Sequence, residues 1–204
     1  MIIGSVQAAY GFTGHGNAHV SGDVKASPIT LNGNATIAGT QVQIQGTPLP
    51  APPFNLAAAF ASAQSSNNNG SIPAEHLNNG ALVLNSQAQL TLAPGTYYFT
   101  GIQLAGQSRL LISGDVIIFL HGAMSIAGGA KINDPSAGNL WIYSDSNQTI
   151  HNAGHALSAF NIYAPAAPLT VTGGTEIDGC IAGRVVIASG NGLVIRMPGE
   201  AASP

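Results

Sequence analysis

The sequence predicts an all-β chain wound as a right-handed parallel β-helix, a β-solenoid of about three strands and twenty residues per coil. Three observations predict it. A glycine-centred corner pattern recurs along the chain, and strong aliphatic runs return at nearly constant spacing. Glycine is abundant, at 26 residues, whereas charged residues make up only 6%. The expected hand is right because a right-twisted strand crossing to a parallel neighbour packs back onto its sheet only that way.

The corner pattern is an aliphatic residue, a small residue, two of Gly, Asn or Ser, two variable residues and another aliphatic. It stands as Leu31-Asn-Gly-Asn-Ala-Thr-Ile37, Leu104-Ala-Gly-Gln-Ser-Arg-Leu110, Ile126-Ala-Gly-Gly-Ala-Lys-Ile132, Val171-Thr-Gly-Gly-Thr-Glu-Ile177 and Ile187-Ala-Ser-Gly-Asn-Gly-Leu193, with a degenerate copy over 150–157. Gly and Asn enter left-handed backbone conformations cheaply, so each copy is a strand, a tight corner and another strand. The apolar runs Val116-Ile-Ile-Phe119, Leu140-Trp-Ile-Tyr143, Phe160-Asn-Ile-Tyr163 and Gly179-Cys-Ile-Ala182 begin 24, 20 and 19 residues apart. Each is followed by a second aliphatic patch, by the corner, and by a third patch such as Ile132, Ile177 or Leu193 to Ile195. A coil of this kind buries its apolar side only by stacking on its neighbours. Phe119, Tyr143 and Tyr163 then fall in one column, expected as an aromatic ladder within the core.

The whole chain, 1–204, is expected to be one solenoid domain, with residues 48–80 inserted between N-terminal coils and the main solenoid. Pro48-Leu-Pro-Ala-Pro-Pro53 ends the strands, and the alanine-rich stretch near 54–64 predicts one short capping or flanking helix with Phe54, Leu56, Ala57 and Phe60 on one face. Ser65-Ser-Asn-Asn-Asn-Gly70 predicts a loop or disordered tip, and strands resume near Ala81. A second insertion, 133–138, carries Asp134-Pro135 and lengthens one corner outside the coils.

Composition excludes several functions. Five Lys and Arg and a net charge of −3 cannot neutralise many phosphates, so nucleic acid and anionic membrane surfaces are not expected partners. No stretch is long and apolar enough for direct membrane insertion, and residues 1–9 lack the basic region and cleavage site of a secretory signal, which places any targeting segment outside this chain. The lone Cys180 sits in an apolar run and is expected to fill a small core slot.

Leu92-Ala-Pro-Gly-Thr-Tyr-Tyr-Phe99, Ile112-Ser-Gly-Asp-Val-Ile-Ile-Phe-Leu-His-Gly122, Ser125-Ile-Ala-Gly-Gly129, Leu140-Trp-Ile-Tyr143 and Ile162-Tyr-Ala-Pro-Ala-Ala167 carry a family resemblance, as do Gly16-Asn-Ala-His-Val-Ser-Gly22 and Gly33-Asn-Ala-Thr-Ile-Ala-Gly39. The chain resembles the β-helical domain of unknown function found in bacterial exported proteins, often beside pilus-assembly components of the PilX type. The resemblance implies a secreted or surface location and supplies no catalytic residues.

The remaining constellations carry little chemistry. His15 with His19 and His151 with His155 have the spacing of metal-ligand pairs, but both lie in Gly- and Asn-rich corners and are expected as solvated, outward turn residues, with His19 aligned to Thr36. Among the carboxylates Asp115, Asp134, Asp145, Glu176 and Asp178, only Glu176 and Asp178 are close in sequence, an exposed pair on one strand face that Arg184 and Arg196 do not turn into a catalytic group. Thr170-Val-Thr172 is the one Thr-x-Thr in register, which falls short of an ice-binding array. Phosphate-loop, nucleophile-elbow and Cys-x-x-Cys motifs are absent. No catalytic, cofactor-binding or metal residue is therefore assigned, and no cofactor is expected. The sequence points to a non-enzymatic extracellular structural or adhesive module of a surface appendage, filament or matrix. Its expected partners are copies of itself or other surface proteins, contacted through open end coils, with glycans as a further class. The alternative is a carbohydrate-binding or polysaccharide-cleaving β-helix, similar to tailspikes or lyases, which outward Tyr and Trp aligned along one side would favour.

Overall fold

Short aliphatic stretches interrupted every few residues by Gly, Asn or Asp are too brief to bury a face alone; each does so by lying over the equivalent stretch of the next coil. The computed structural model describes residues 5–44, 49–133, 139–155 and 157–190, with the side chain of Leu157 outside that description. Within them the strands form a parallel β-solenoid of about 9 turns with one α-helix. The expected insertion at 134–138, the patch from Leu193 to Ile195, and Arg196 lie outside the described residues.

Each turn has three sides. Side A stacks Gln41–Gln43, Val24–Ala26, Val6–Ala8, the first part of Ile181–Gly190, the first part of Asn161–Thr172, Leu140–Ser144, Val116–Leu120 and Gly95–Phe99 in that spatial order. Side B stacks Ile29–Leu31, Phe12–Gly16, the second parts of the same two long strands, Ile150–Asn152, Met124–Ile126, Gly101–Leu104 and Ala81–Leu84. Side C holds Gln89–Leu92, Arg109–Ile112, Lys131–Ile132, Leu157–Ala159 and Glu176–Asp178, and separately Thr36–Ile37 over His19–Val20.

Spatial order departs from chain order. Val6 pairs with Ile181 and Phe12 with Val186, so the first coil lies directly on the last described one. The chain starts inside the rod, builds outward to residue 44, returns along side A through the helix Leu56–Ser65, and re-enters at the opposite end near Ala81. From there it winds back to its own beginning.

The interior tapers. On side A the inward column runs Tyr97, Ile118, Ile142, Ile162, Ile181, Val6, Val24, Gln41, and its neighbour starts Phe99, Leu120, Ser144 and ends Ala8, Ala26, Gln43. The two end coils differ in length as well: Ala81 pairs with Gly101, 20 residues on, but Val24 with Gln41, only 17 on. A short coil suits the small side chains of the narrow end, because a wide coil around them would enclose a void.

The corner between sides B and C is a column of glycines. Gly33, Gly16, Gly190, Gly173, Gly154, Gly128 and Gly106 lie one above another, all with φ between +66° and +117°. At four of these corners the residue after the glycine donates its N–H to the carbonyl of the glycine below: Asn17 to Gly190 (3.0 Å), Gly129 to Gly106 (2.7 Å), His155 to Gly128 (2.8 Å) and Gly174 to Gly154 (2.7 Å). A Cβ on Gly173 would lie 2.5 Å from the carbonyl oxygen of Gly154.

Three expectations are corrected, and of the two alternatives for 65–70 the loop stands. Phe119, Tyr143 and Tyr163 point away from the core, because strand alternation assigns the interior to Val116, Ile118 and Leu120; Phe119 and Tyr143 are instead buried beneath Phe60 and Ala63 of the helix. The helix packs through Leu56, Ala59, Phe60 and Ala63, leaving Ala57 exposed. The 65–70 stretch is ordered by side chains that imitate a strand: Asn68 exchanges hydrogen bonds with Thr96 through its own N–H and its Oδ1, and Asn69 holds both the N–H and the carbonyl of Tyr98 with its amide. Cys180 is half-buried, since the inward positions around it belong to Gly179 and Ile181.

Gly173→Ala is expected to destabilise the fold by about 2 kcal/mol or more, combining a left-handed Cβ penalty with the clash on Gly154. Urea unfolding followed by far-UV circular dichroism measures it; an unchanged midpoint would remove the glycine column from the account of stability.

Candidate functional site

A strand in this rod has one inward and one outward set of side chains, so any site on a side is written in the outward set. On side B that set includes the column Thr30, Thr13, Ile187, Thr170, His151, Ser125, Gln103, Val83, each paired across register with the next. A flanking column holds Pro168 beside Val185, and another holds Thr172 beside Ser189 and His15. None of these residues is Lys, Arg, Asp or Glu. Eight strands at about 4.8 Å make this a face roughly 34 Å long, ruled by backbone hydrogen bonds and lined by methyl, hydroxyl and amide groups. Sequence reading missed it, because the residues that share the face are some twenty positions apart and individually bland; the signal was the lack of charge at alternate positions of every second patch.

Side A is covered where side B is bare. Phe60 meets Phe119 edge-on at 4.9 Å between ring centroids, Phe54 meets Tyr143 at 5.1 Å, and Phe119 stacks on Tyr143 at 5.8 Å. Asn55 fixes the helix start by accepting the Ala58 N–H at its Oδ1 (3.1 Å). Tyr98, Phe119, Tyr143 and Tyr163 do run in line on the outside, but the helix occupies the middle of that line; Trp141, which stacks on Tyr143, Ile117 and Phe54 remain exposed beside it. Burial holds the phenols of Tyr98, Tyr143 and Tyr163 above the ordinary value of 10.0, with the Asp145 carboxylate adding to the effect at Tyr98.

The histidines do not converge. His15 contacts the Asn32 amide (3.3 Å), and His19 lies over Thr36 as the sequence predicts, bonded to its Oγ1 at 2.6 Å. His19 and His151 sit on strands and are half-buried, not in open turns, while His155 stays at an exposed corner. Partial burial lowers the His19 pKa. Of the acidic residues, Asp115 accepts from the Asn139 amide (3.0 Å), Asp145 pairs with His121 (2.9 Å), and Glu176 and Asp178 flank the inward Ile177 on side C, sharing a face as expected. Arg184 lies over the exposed ring of Tyr10 (5.7 Å). Among the described residues no three His, Cys, Asp or Glu are placed to hold a metal ion, and no helix is long and apolar enough to cross a membrane.

Residues 101–196 match a family described as a Domain of unknown function (DUF7305). No curated protein matches the chain in sequence. In three dimensions the chain is similar to an ice binding protein from an Antarctic Biological Consortium, with a TM-score of 0.55 at 16% identity over 93% of this chain and 86% of that one. It is also similar to an ice binding protein from an Antarctic bacterium Flavobacteriaceae, with a TM-score of 0.53 at 16% identity over 98% of this chain and 47% of that one, so it spans about half of that second protein's length. At such identity the likeness is one of fold.

Two outcomes follow from the covered aromatics. Phe60→Ala should lower stability by about 3 kcal/mol in urea unfolding and increase binding of a hydrophobic dye as Phe119 and Tyr143 become accessible; a neutral result would mean the helix is not anchored there. The unfolded chain ionises its phenols before Tyr98, Tyr143 and Tyr163 do in the folded state, so stability is intact below pH 10.0 and declines as pH rises toward the folded values. Phenolate absorbance during alkaline titration should show these phenols ionising late, and their early ionisation with the fold intact would contradict the burial.

Proposed function

We propose that the chain is a non-enzymatic structural and adhesive module of the cell exterior, working through side B against uncharged surfaces that include copies of itself. The observation that carries this is the outward column from Thr30 to Val83, in which eight successive strands present no Lys, Arg, Asp or Glu. Burying such a face takes no carboxylate, ammonium or guanidinium out of water, and its strands are already fixed, so little conformational entropy is lost on contact. A surface appendage, filament or matrix, the setting implied by the sequence resemblance to exported and pilus-associated domains, needs a rigid, neutral element of this kind. The carbohydrate-cleaving alternative is less favoured, because the aligned aromatics lie largely under the helix and the described carboxylates are spread over different sides.

A second reading is ice binding. Thr30, Thr13, Thr170 and Thr172 project from the same flat side, and the fold is shared with proteins described as ice binding. Ile187, His151 and Gln103 interrupt the row, which places this reading second.

Electron microscopy and sedimentation of the concentrated protein distinguish them. Wild-type protein should form lateral clusters that Ser125→Glu with Thr170→Glu disperses, since two carboxylates on the face must then be desolvated or repel. Dispersed wild-type protein that depolymerises or binds a polysaccharide would overturn the adhesive reading in favour of the carbohydrate one, and inhibition of ice recrystallisation lost in the same double variant would favour ice.

A further inference from the structure

The two ends of the rod are built differently. At the wide end two of the three strand edges are covered: Leu77–Asn78 lies antiparallel against Ala81–Leu84, and the amides of Asn68 and Asn69 occupy the edge of Gly95–Phe99, while no strand among the described residues pairs with the outer edge of Gln89–Leu92. At the narrow end no strand among the described residues pairs with the outer edges of Ile29–Leu31, Thr36–Ile37 or Gln41–Gln43. Asn32, Thr36, Ala38 and Ile44 donate their N–H groups inward, to Gly14, Ala18, Val20 and Ala26, so the alternate amides of Leu31, Ile37 and Gln43 point outward along the rod.

Exposed edges are normally guarded by charge or proline. The narrow coil has neither, since residues 29–44 contain no Lys, Arg, Asp, Glu or Pro. Its apolar residues are incompletely covered, with Leu31 37% exposed and Ile29 and Ile37 half-buried, and the inward positions above Val24 and Ala26 are taken by exposed Gln41 and Gln43. This edge is a coil-shaped set of donors, acceptors and small aliphatic patches.

We infer that it is the interface for a second copy of the chain, joined narrow end to narrow end about a two-fold axis. The taper selects the partner: a coil of 17 residues matches another of 17, and not the 20-residue coil of the wide end. Head-to-tail stacking would also have to displace Leu77–Asn78, Asn68 and Asn69 from two of the wide end's three edges. Two-fold symmetry opposes the chain directions, so the strands meet antiparallel, with the Gln41 and Gln43 amides of each copy facing those of the other. The product is a closed dimer, not a filament. This narrows the expected contact through open end coils to one end, and it does not depend on the adhesive role of side B.

Sedimentation velocity across micromolar to millimolar concentrations tests it, with all proteins carrying Ser125→Glu and Thr170→Glu so that side-B contacts are disabled. A reversible monomer–dimer equilibrium with no larger species is expected. Gln43→Pro, which removes an outward amide but spares the Ile44 to Ala26 bond, and Leu31→Lys, which puts charge on the open coil, should each raise the dissociation constant about tenfold or more while leaving the circular dichroism spectrum unchanged. Should Gln43→Pro fail to fold, Leu31→Lys at its exposed position still decides. Monomer at every concentration, or a dimer indifferent to Leu31→Lys, would overturn the proposal.

Discussion

The corner from side B to side C sets the geometry on which the rest depends. Seven glycines in left-handed conformations stand in one column, and in the cases described each hands its carbonyl to the residue just past the glycine above. That single repeated contact fixes the vertical step, the phase of each coil and the direction in which the chain leaves the corner. Once the phase is fixed, strand alternation decides which side chains enter the core, and the neighbouring columns fill by like stacking on like. A Cβ at Gly106, Gly128, Gly154, Gly173 or Gly190 would lie 2.4 to 2.9 Å from the backbone beneath it.

Closure inside the rod imposes a second constraint. The strand Ile181–Gly190 pairs with Asn161–Thr172 on one edge and with the first coil on the other. The seam therefore joins residues separated by almost the whole chain, and it links the two stacks into one hydrogen-bonded sheet. Repeat proteins ordinarily contact only their sequence neighbours; here the N-terminal coils are held by residues that follow them by roughly 175 positions, as Val6 is by Ile181. Loss of the first coil would expose a long internal edge, which makes its short strands more consequential than their length suggests.

The solenoid itself was legible in the sequence, because burying an aliphatic patch every few residues leaves a spacing that survives variation in the corners. Parallel pairing, the short helix and the restart of strands near Ala81 follow from that spacing, from the proline run and from alanine content. What was hidden has one cause: the order of strands in space is not written in any local stretch. Val6 carries no mark that it lies on Ile181. The aromatics misled because Phe119 and Tyr143 are as hydrophobic as core residues, and only the helix above them, distant in sequence, explains why they may face outward. Asn68 and Asn69 looked like loop residues for a sound reason, since the same amide that favours a turn also imitates a peptide group well enough to occupy a strand edge.

The return path along side A also bounds how such a rod can change in size. Duplicating a coil anywhere within residues 81–178 moves the far end by about 4.8 Å, and the connection from residue 44 must then grow by about three residues of helix, at 1.5 Å each, to reach it. Rod length and connector length are thus coupled variables, and homologues with more turns should carry proportionately longer helices alongside them.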